Sequence, residues 1–443
     1  MGYCCSRQLK VNASTVYFSG DAKYPRKTII TIKKRNSREK IIRKETLELV
    51  NTEPVLTVSE EFPLVPKLWA SACVIPGKDP RGNFNKVCRD FCFVSSEKGK
   101  LMGGLFDGHG KEGEKVVTFC VTESDYFFTN ELENYSDDYT KFLEDLVQYL
   151  ELQLEDSSGI DISNSGTSCI IFLIARGEIY VANLGCNRMV LASNTPTIEY
   201  HKRRLSLNAK FQFLSEVSNA RGKCLNNSLS AFQVSHDHRP NSPSETLRIV
   251  SKGGKVKRLV DEYGNFYGPY RVSPNFSNLK GLTVSRSLGD TLMKEIGITS
   301  VPTVSNHKID PTDCFIIVAS DGVWRVMGNK DAVDFVESHR SICIKGVDRP
   351  TVADVITPEN SCISQLLCEE ARLRWLAKVE NEDTIIDDIS CVVIEFFRGE
   401  AKEKSNTTLI RAISTDEKEN GEEADCRCQN IRMRKVFNEN FER

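Results

Sequence analysis

The sequence predicts an α+β domain, and three observations lead to this fold class. Short apolar segments with the composition of buried β-strands recur from "KLWASACVIPG" to "SCVVIEFF". Arg176 and Gly177 divide "TSCIIFLIARGEIYVANLG" into two such segments. This division predicts a β-hairpin, because glycine readily adopts the positive φ of a tight turn. Amphipathic helices are fewer than strands.

The predicted strands are apolar at both odd and even positions, as expected where a sheet is covered on both faces. In chain order they are "KLWASACVI", "DFCFVS", "KLMGGLF", "TSCIIFLIA", "EIYVANLG", "NRMVLAS", "DCFIIVAS" and "SCVVIEFF". The clearest helix is "SDDYTKFLEDLVQYLELQLED", where Phe142, Leu146, Leu150 and Leu154 recur every four residues after a Ser/Asp cap. Further helices are predicted in "VWRVMGNKDAVDFVESH" and around "SCISQLLCEEARLRWLAKV".

Composition and charge divide the chain into three parts. Residues 1–65 form a predicted basic N-terminal extension. Residues 66–398 form the predicted domain, with a polar, Ser/Asn-rich insertion at about 194–233. Residues 399–443 are charged and predict a disordered tail.

The overall composition is that of a soluble globular protein. Hydrophobic residues make up 40% and charged residues 27%, and 59 basic and 61 acidic residues leave a formal net charge of -2. This balance gives no general attraction to nucleic acid, so no nucleic-acid partner is expected. Apolar runs such as "CIIFLIA" are too short to span a membrane, and no secretory signal follows Met1. The 16 cysteines lack paired zinc spacing, so reduced thiols are expected rather than a disulfide framework.

The first residues, "MGYCCS", fit the pattern for N-myristoylation of Gly2 after removal of the initiator methionine. Cys4 and Cys5 could then be palmitoylated. One myristoyl chain binds membranes only marginally, so a second acyl chain or the basic run at 33–44 would be needed for stable attachment. The sequence therefore predicts a cytoplasmic protein held at the membrane surface by N-terminal acylation, with a chance match to a short motif as the alternative.

The stretch "GGLFDGHGKEG" places Asp107 and His109 among five glycines at the end of a predicted strand. Glycine permits close approach of the backbone to another group, and the candidate here is a ligand or a metal. The alternative is a tight turn whose aspartate caps the backbone.

Aspartates stand at the edges of four predicted strands. Asp90 opens "DFCFV", Asp107 closes "LMGGLFD", Asp321 closes "CFIIVASD", and Asp387 precedes "ISCVVIEF". Carboxylates gathered at one edge of a sheet system raise one another's pKa unless a cation neutralises them. All are hard oxygen ligands without a Cys or His pair at zinc spacing, which favours Mg²⁺ or Mn²⁺. The alternative, that each aspartate separately caps a turn or helix, is strongest for Asp321.

Eight motifs occur in an order that resembles the metal-dependent type 2C serine/threonine protein phosphatases, the PPM family. They are "FDGHG", "SGTSCI", "YVANLGCNRMVL", "SHDHRP", "LRIVSKGGKV", "LTVSRSLGD", "ASDGVWRVM" and "DDISCVVI". The resemblance spans about residues 66–398. It implies two antiparallel sheets stacked face to face between helices, with two Mg²⁺ or Mn²⁺ ions at one edge of the sandwich.

The resemblance also implies roles for individual residues. Asp107 would bridge both ions, the Gly108 carbonyl would bind one, and Asp321 and Asp387 would complete the other. The ions would lower the pKa of a bridging water, and the resulting hydroxide would attack phosphorus. His109 would act as general acid toward the seryl or threonyl oxygen. The expected activity is therefore hydrolysis of phosphoserine and phosphothreonine, with phosphorylated proteins as substrates.

Three residues depart from the family's pattern. Arg89 stands where the family has Glu or Gln; Asp90 remains to serve the second metal, whose affinity is left open. Cys186 in "GCNR" and Arg325 in "DGVWR" replace two aspartates of a third, weaker metal site. The two arginines could bind substrate phosphate or could be solvated. The alternative function is therefore a catalytically weak or inactive relative that acts as a phosphoprotein-binding scaffold.

Overall fold

Two antiparallel β-sheets lie at the centre of the molecule, and helices cover the outer face of each. The computed structural model describes residues 16–19, 67–78, 87–196, 228–275, 281–344, 362–378 and 385–397. Within them, the predicted α+β class and the predicted sandwich of two stacked sheets between helices are confirmed.

The strands, in chain order, are β1 (Val16–Ser19), β2 (Lys67–Ile75), β3 (Asp90–Glu97), β4 (Lys100–His109), β5 (Gly166–Ala175), β6 (Glu178–Leu184), β7 (Arg188–Ser193), β8 (Ser230–Gln233), β9 (Gly254–Val260), β10 (Phe266–Pro274), β11 (Leu288–Gly289), β12 (Thr303–Lys308), β13 (Asp313–Ala319) and β14 (Ile389–Phe397). The larger sheet has the order β1-β3-β4-β5-β6-β12, with β11 paired to β5. The smaller sheet has the order β2-β14-β13-β7-β8, and β9 and β10 form a separate hairpin.

The α-helices are α1 (Gly113–Glu131), α2 (Tyr139–Asp156), α3 (Pro243–Ser251), α4 (Thr291–Lys294), α5 (Asp321–Trp324), α6 (Asn329–Ile344) and α7 (Ile363–Ala377), and a 3₁₀ turn at Leu132–Tyr135 joins α1 to α2. None of the described helices is both long enough and apolar enough to cross a membrane.

The helix α2 shows how sequence sets one outer layer. Asp138 caps it, because its carboxylate accepts a hydrogen bond of 3.0 Å from the backbone N–H of Lys141. Leu146, Leu150 and Leu154 recur on one face and are fully buried against the larger sheet. Burial of each leucine side chain contributes about 1.5 to 3 kcal/mol, so the amphipathic spacing holds the helix on the sheet.

Three apolar layers follow from this arrangement. The layer between the sheets contains Leu105 of β4 and Val392 of β14. The second layer packs α1 and α2 on the larger sheet, and the third packs α6 and α7 on the smaller one. Strands with apolar residues at successive positions, such as β5, are buried along their whole length because both faces are covered.

Several local predictions are confirmed and others need correction. Arg176 and Gly177 adopt positive φ angles of 51° and 76° in the turn between β5 and β6, as predicted. The tight turn considered for Asp107 is wrong, because β4 continues to His109 and pairs with β5. The helix predicted after "ASD" is two helices, since α5 ends at Trp324 and α6 begins at Asn329. The helix α1 was not predicted.

Two strands lie in segments that the sequence assigns outside the domain core. β1, within the predicted extension 1–65, pairs with β3 at the edge of the larger sheet. β8, within the predicted insertion at about 194–233, pairs with β7. Residues 197–227 and 399–443 lie outside the described residues, as do Gly2, Cys4 and Cys5.

Candidate active site

The ends of β3 and β4 bring two aspartates side by side. Asp90 and Asp107 are direct partners in the antiparallel register. The next residue, Gly108, donates its backbone N–H to the carbonyl of Arg89 at 3.0 Å. A Cβ atom on Gly108 would lie 2.8 Å from the carbonyl oxygen of Gly113 and 2.9 Å from that of Arg89. The glycine is therefore needed because three backbone segments meet around it.

The smaller sheet supplies a second pair of acidic residues to the same edge. Asp321 is the first residue of α5 and follows the end of β13 by two positions, and Asp387 precedes the start of β14 by two positions. β13 and β14 are neighbouring strands. A Cβ atom on Gly322 would lie 2.0 Å from the carbonyl oxygen of Asp388, so only glycine lets α5 approach β14 this closely. The "DG" pair thus positions the Asp321 carboxylate beside the start of β14.

A cleft of about 220 Å³ opens at this edge of the sandwich. It brings together Asp107, Gly108, Asp321 and Asp387, four of the five residues that the sequence predicts as metal ligands. His109 also lines it. Asp90 does not: its side chain is 2% exposed, and its Oδ2 accepts a hydrogen bond of 2.5 Å from Ser390.

Burial and mutual repulsion raise the pKa values of the carboxylates at this edge. Burial, followed by the charges of Asp90, Asp321 and Asp387, raises the pKa of Asp107 well above its usual value. Burial and then Asp388 raise the pKa of Asp90 in the same way. Burial also raises the pKa of Asp321. Positive charge placed among these carboxylates therefore stabilises their ionised forms.

Arg325 already supplies one positive charge there. Its Nη2 lies 2.5 Å from Asp321 Oδ2, and its Nη1 lies 3.2 Å from Asp387 Oδ2. Burial alone would lower the pKa of Arg325, but Asp321 and Asp387 raise it. The interpretation of Arg325 as a solvated arginine is therefore wrong, since the guanidinium joins two predicted metal ligands.

Cys186 lies against the same carboxylates. Its sulfur and one carboxylate oxygen each from Asp107 and Asp321 all lie within 4.8 Å of one another. The Cys186 thiol lies 3.5 Å from Asp321 Oδ2. Burial, and then Asp321, raise the pKa of this thiol well above its usual value. Cys186 is thus a protonated thiol, which is a poor ligand for a hard cation such as Mg²⁺.

The donor chemistry fits a divalent cation at one position. Asp107, Asp321 and Asp387 offer hard carboxylate oxygens, the ligands that Mg²⁺ and Mn²⁺ prefer. Gly108, whose carbonyl the resemblance assigns to a second ion, lines the same cleft. Arg89 stands where the resemblance expects Glu or Gln. Its guanidinium donates a hydrogen bond of 3.0 Å to the carbonyl of Gly110.

Two further residues of the site were missed by sequence reasoning. Asp290 is fully buried, and its Oδ2 lies 2.6 Å from Nε2 of His109. The same Oδ2 accepts a hydrogen bond from Ser287. Burial alone would lower the pKa of His109, but the charge and hydrogen bond of Asp290 raise it. Asp290 is the last residue of the motif "LTVSRSLGD", and this motif is the feature of the sequence that could have identified it.

Arg271, the second missed residue, lines the cleft from β10. The hairpin of β9 and β10 was not predicted, because its residues are largely exposed and show no apolar periodicity. No local pattern in the sequence therefore places this arginine beside the aspartates.

The sequence of this chain is similar to those of known protein phosphatases. The sequence profile of the family "Protein phosphatase 2C" matches residues 88–356. "Probable protein phosphatase 2C 34" of Arabidopsis thaliana is 30% identical over 313 residues, which cover 66% of this chain and 71% of that protein. "Probable protein phosphatase 2C 48" of Oryza sativa subsp. japonica is 28% identical over 332 residues, or 70% of this chain and 78% of that protein.

Solved structures are similar in fold. A serine-threonine phosphatase 2C from Toxoplasma gondii has a TM-score of 0.51 and 18% identity, covering 78% of this chain and 98% of that chain. A C. elegans sex determining protein has a TM-score of 0.50 and 17% identity, covering 75% of this chain and 65% of that chain.

Proposed function

Because the chain belongs to the protein phosphatase 2C family, we propose that it hydrolyses phosphoserine and phosphothreonine in proteins, in a reaction that requires Mg²⁺ or Mn²⁺. The family consists of metal-dependent phosphatases that act on phosphoproteins. One observation carries the proposal: Asp107, Asp321, Asp387 and His109 converge on a single cleft.

The carboxylates would hold the metal. Asp107, Asp321 and Asp387 would bind one ion, and Asp107 with the Gly108 carbonyl would bind a second. Bound metal would activate a water for attack on phosphorus and would neutralise charge on the phosphoryl oxygens. The carboxylates must be ionised, which the charge of a bound metal would favour, and they must be held in place, which the close backbone packing around Gly108 and Gly322 supports.

His109 would donate the proton that the leaving seryl or threonyl oxygen requires. Its Nε2 is engaged by Asp290, so Nδ1 is the ring nitrogen left for the substrate. Asp290 would fix the ring and stabilise its protonated form. General acid catalysis of this kind contributes about 10² to 10⁴ in rate.

Phosphate release from a phosphothreonine peptide tests the function. We expect turnover that rises with added Mn²⁺ and disappears in EDTA. Asp107→Asn and Asp321→Asn should each abolish it, because each removes a carboxylate of the cleft. Asp334→Asn is the matched control, since this exposed aspartate of α6 pairs only with Lys330 in the described structure.

The outcomes separate the phosphatase from the scaffold alternative. Equal release by wild type and Asp321→Asn, or release unaffected by EDTA, would contradict the metal-dependent mechanism. Tight binding of the phosphopeptide with no release at saturating Mn²⁺ would support a phosphoprotein-binding scaffold instead.

Membrane attachment is a separate proposal that rests on "MGYCCS" alone. Myristoylation of Gly2 and palmitoylation of Cys4 or Cys5 would give the two acyl chains that stable attachment requires. Gly2→Ala should move the protein from membrane to soluble fractions of its own cells. A wild-type protein found wholly in the soluble fraction would exclude the anchor.

A further inference from the structure

Three arginines line the cleft, and two of them have clear partners. Arg325 pairs with Asp321 and Asp387. Arg89 donates a guanidinium hydrogen bond to the Gly110 carbonyl. The third, Arg271, reaches the cleft from β10, a strand of the separate hairpin rather than of either large sheet.

Arg271 is half-buried and has no ion-pair partner in the part of the chain that the structure describes. Its Nη1 donates to the carbonyl of Gly281 at 3.0 Å, which fixes the orientation of the guanidinium. Its Nε is buried and has no hydrogen-bond partner among the described residues. Burial, and then the neighbouring charge of Arg325, lower its pKa. A buried N–H of a cation without an acceptor is unfavourable, which points to an anionic group that completes it.

The chemistry of the missing group follows from its surroundings. A carboxylate or phosphoryl oxygen would satisfy Nε, and guanidinium groups match the oxygens of phosphate particularly well. Arg271 lines the same cleft as Asp107 and His109, the proposed reacting groups. A phosphoryl group held in this cleft at the reacting groups would offer an oxygen to the Arg271 guanidinium.

We propose that Arg271 binds the phosphoryl group of the substrate, an assignment that rests on the proposed phosphatase function. Among the described arginines that line the cleft, Arg271 alone has a buried N–H without a hydrogen-bond partner.

Calorimetry with inorganic phosphate tests the assignment independently of turnover. In the presence of Mg²⁺, Arg271→Ala should weaken phosphate binding about tenfold or more, as expected for loss of a hydrogen bond to a charged group. Arg271→Lys should recover part of the affinity, because lysine keeps the positive charge but lacks the planar set of N–H donors of the guanidinium. The KM for a phosphothreonine peptide should rise in parallel.

Arg258→Ala is the matched control. This arginine lies on β9 of the same hairpin and donates its Nε–H to the Gly268 carbonyl at 2.9 Å, but it does not line the cleft. It should bind phosphate as the wild type does. Thermal melting of each variant checks that the hairpin remains folded.

The results distinguish failure of this site from failure of the function. Phosphate affinity in Arg271→Ala equal to that of wild type, or no phosphate binding by wild type, would overturn the assignment even if turnover is found. Affinity lost only in the Arg271 variants, in a protein without turnover, would support the anion site and contradict the phosphatase. Free phosphate bound normally with only the peptide KM raised would place Arg271 on the peptide rather than on its phosphoryl group, and would also overturn the assignment.

Discussion

Arg325 pairs with Asp321 one helical turn away, with 2.5 Å between Nη2 and Oδ2. The same guanidinium reaches Asp387, so it joins the start of α5 to the start of β14. Asp321 and Asp387 are the carboxylates at the edge of the smaller sheet that would hold a metal. Arg325 and a divalent cation therefore interact with the same negative charges, and each weakens the effect of the other.

Removal of this guanidinium should strengthen metal binding. We expect Arg325→Ala to bind Mn²⁺ about tenfold more tightly than wild type, a change of ~1.4 kcal/mol. Calorimetric titration with Mn²⁺ measures the affinity. Arg374→Ala is the control, because Arg374 pairs with Glu370 on α7 and does not line the cleft. An unchanged affinity in Arg325→Ala would show that the guanidinium does not compete with the metal.

Introducing the two acids that the resemblance expects in place of Cys186 and Arg325 should add a metal-binding site. In Cys186→Asp with Arg325→Asp, a protonated thiol and a cation beside Asp321 become two carboxylates. We expect one additional weak Mn²⁺-binding event by calorimetry, and a higher rate of phosphate release. Wild-type protein that already binds three ions would contradict the explanation given for Cys186 and Arg325.

The strands and the face of α2 could be predicted because apolar periodicity reports burial directly. The helix α1 could not, because valine, threonine, cysteine and aromatic residues are frequent in it and lower its helix propensity; packing on the sheet overcomes this. The β9–β10 hairpin could not be predicted because its residues are largely exposed and show no apolar periodicity. It is held by its own pairing, with aromatic residues such as Tyr263 and Phe266 exposed.

The aspartates of the site could be predicted because each follows or precedes a recognisable strand. Their convergence depends on strand order, which local patterns do not report. The pairings of Arg325 with Asp321 and of His109 with Asp290 join residues whose contact depends on side-chain direction. His109 and Asp290 are 181 positions apart, so nothing local in the sequence indicates the pair.

His109 should matter most where the leaving group needs a proton. We expect His109→Ala to lower kcat on a phosphothreonine peptide by about 10² to 10⁴. The loss on p-nitrophenyl phosphate should be much smaller, because nitrophenolate leaves without protonation. Asp290→Asn should show the same substrate dependence to a smaller degree. His307→Ala is the control, since His307 forms a similar pair with Asp313 that does not line the cleft. Equal losses on both substrates would contradict the general-acid role.

Glu395 should make stability depend on pH. It lies in β14, is 2% exposed, and its Oε2 has no hydrogen-bond partner among the described residues. Burial raises its pKa from 4.5 to about 7. The folded state therefore binds more protons than the unfolded state across this range, and the free energy of unfolding falls as pH rises through it.

Glutamine cannot ionise, so Glu395→Gln should be more stable than wild type at pH 8 by about 1 to 3 kcal/mol, with little difference near pH 4.5. Urea unfolding at both pH values measures this, with the exposed Glu295→Gln as control. A difference independent of pH would mean that side-chain packing, not ionisation of the buried carboxyl, determines the effect.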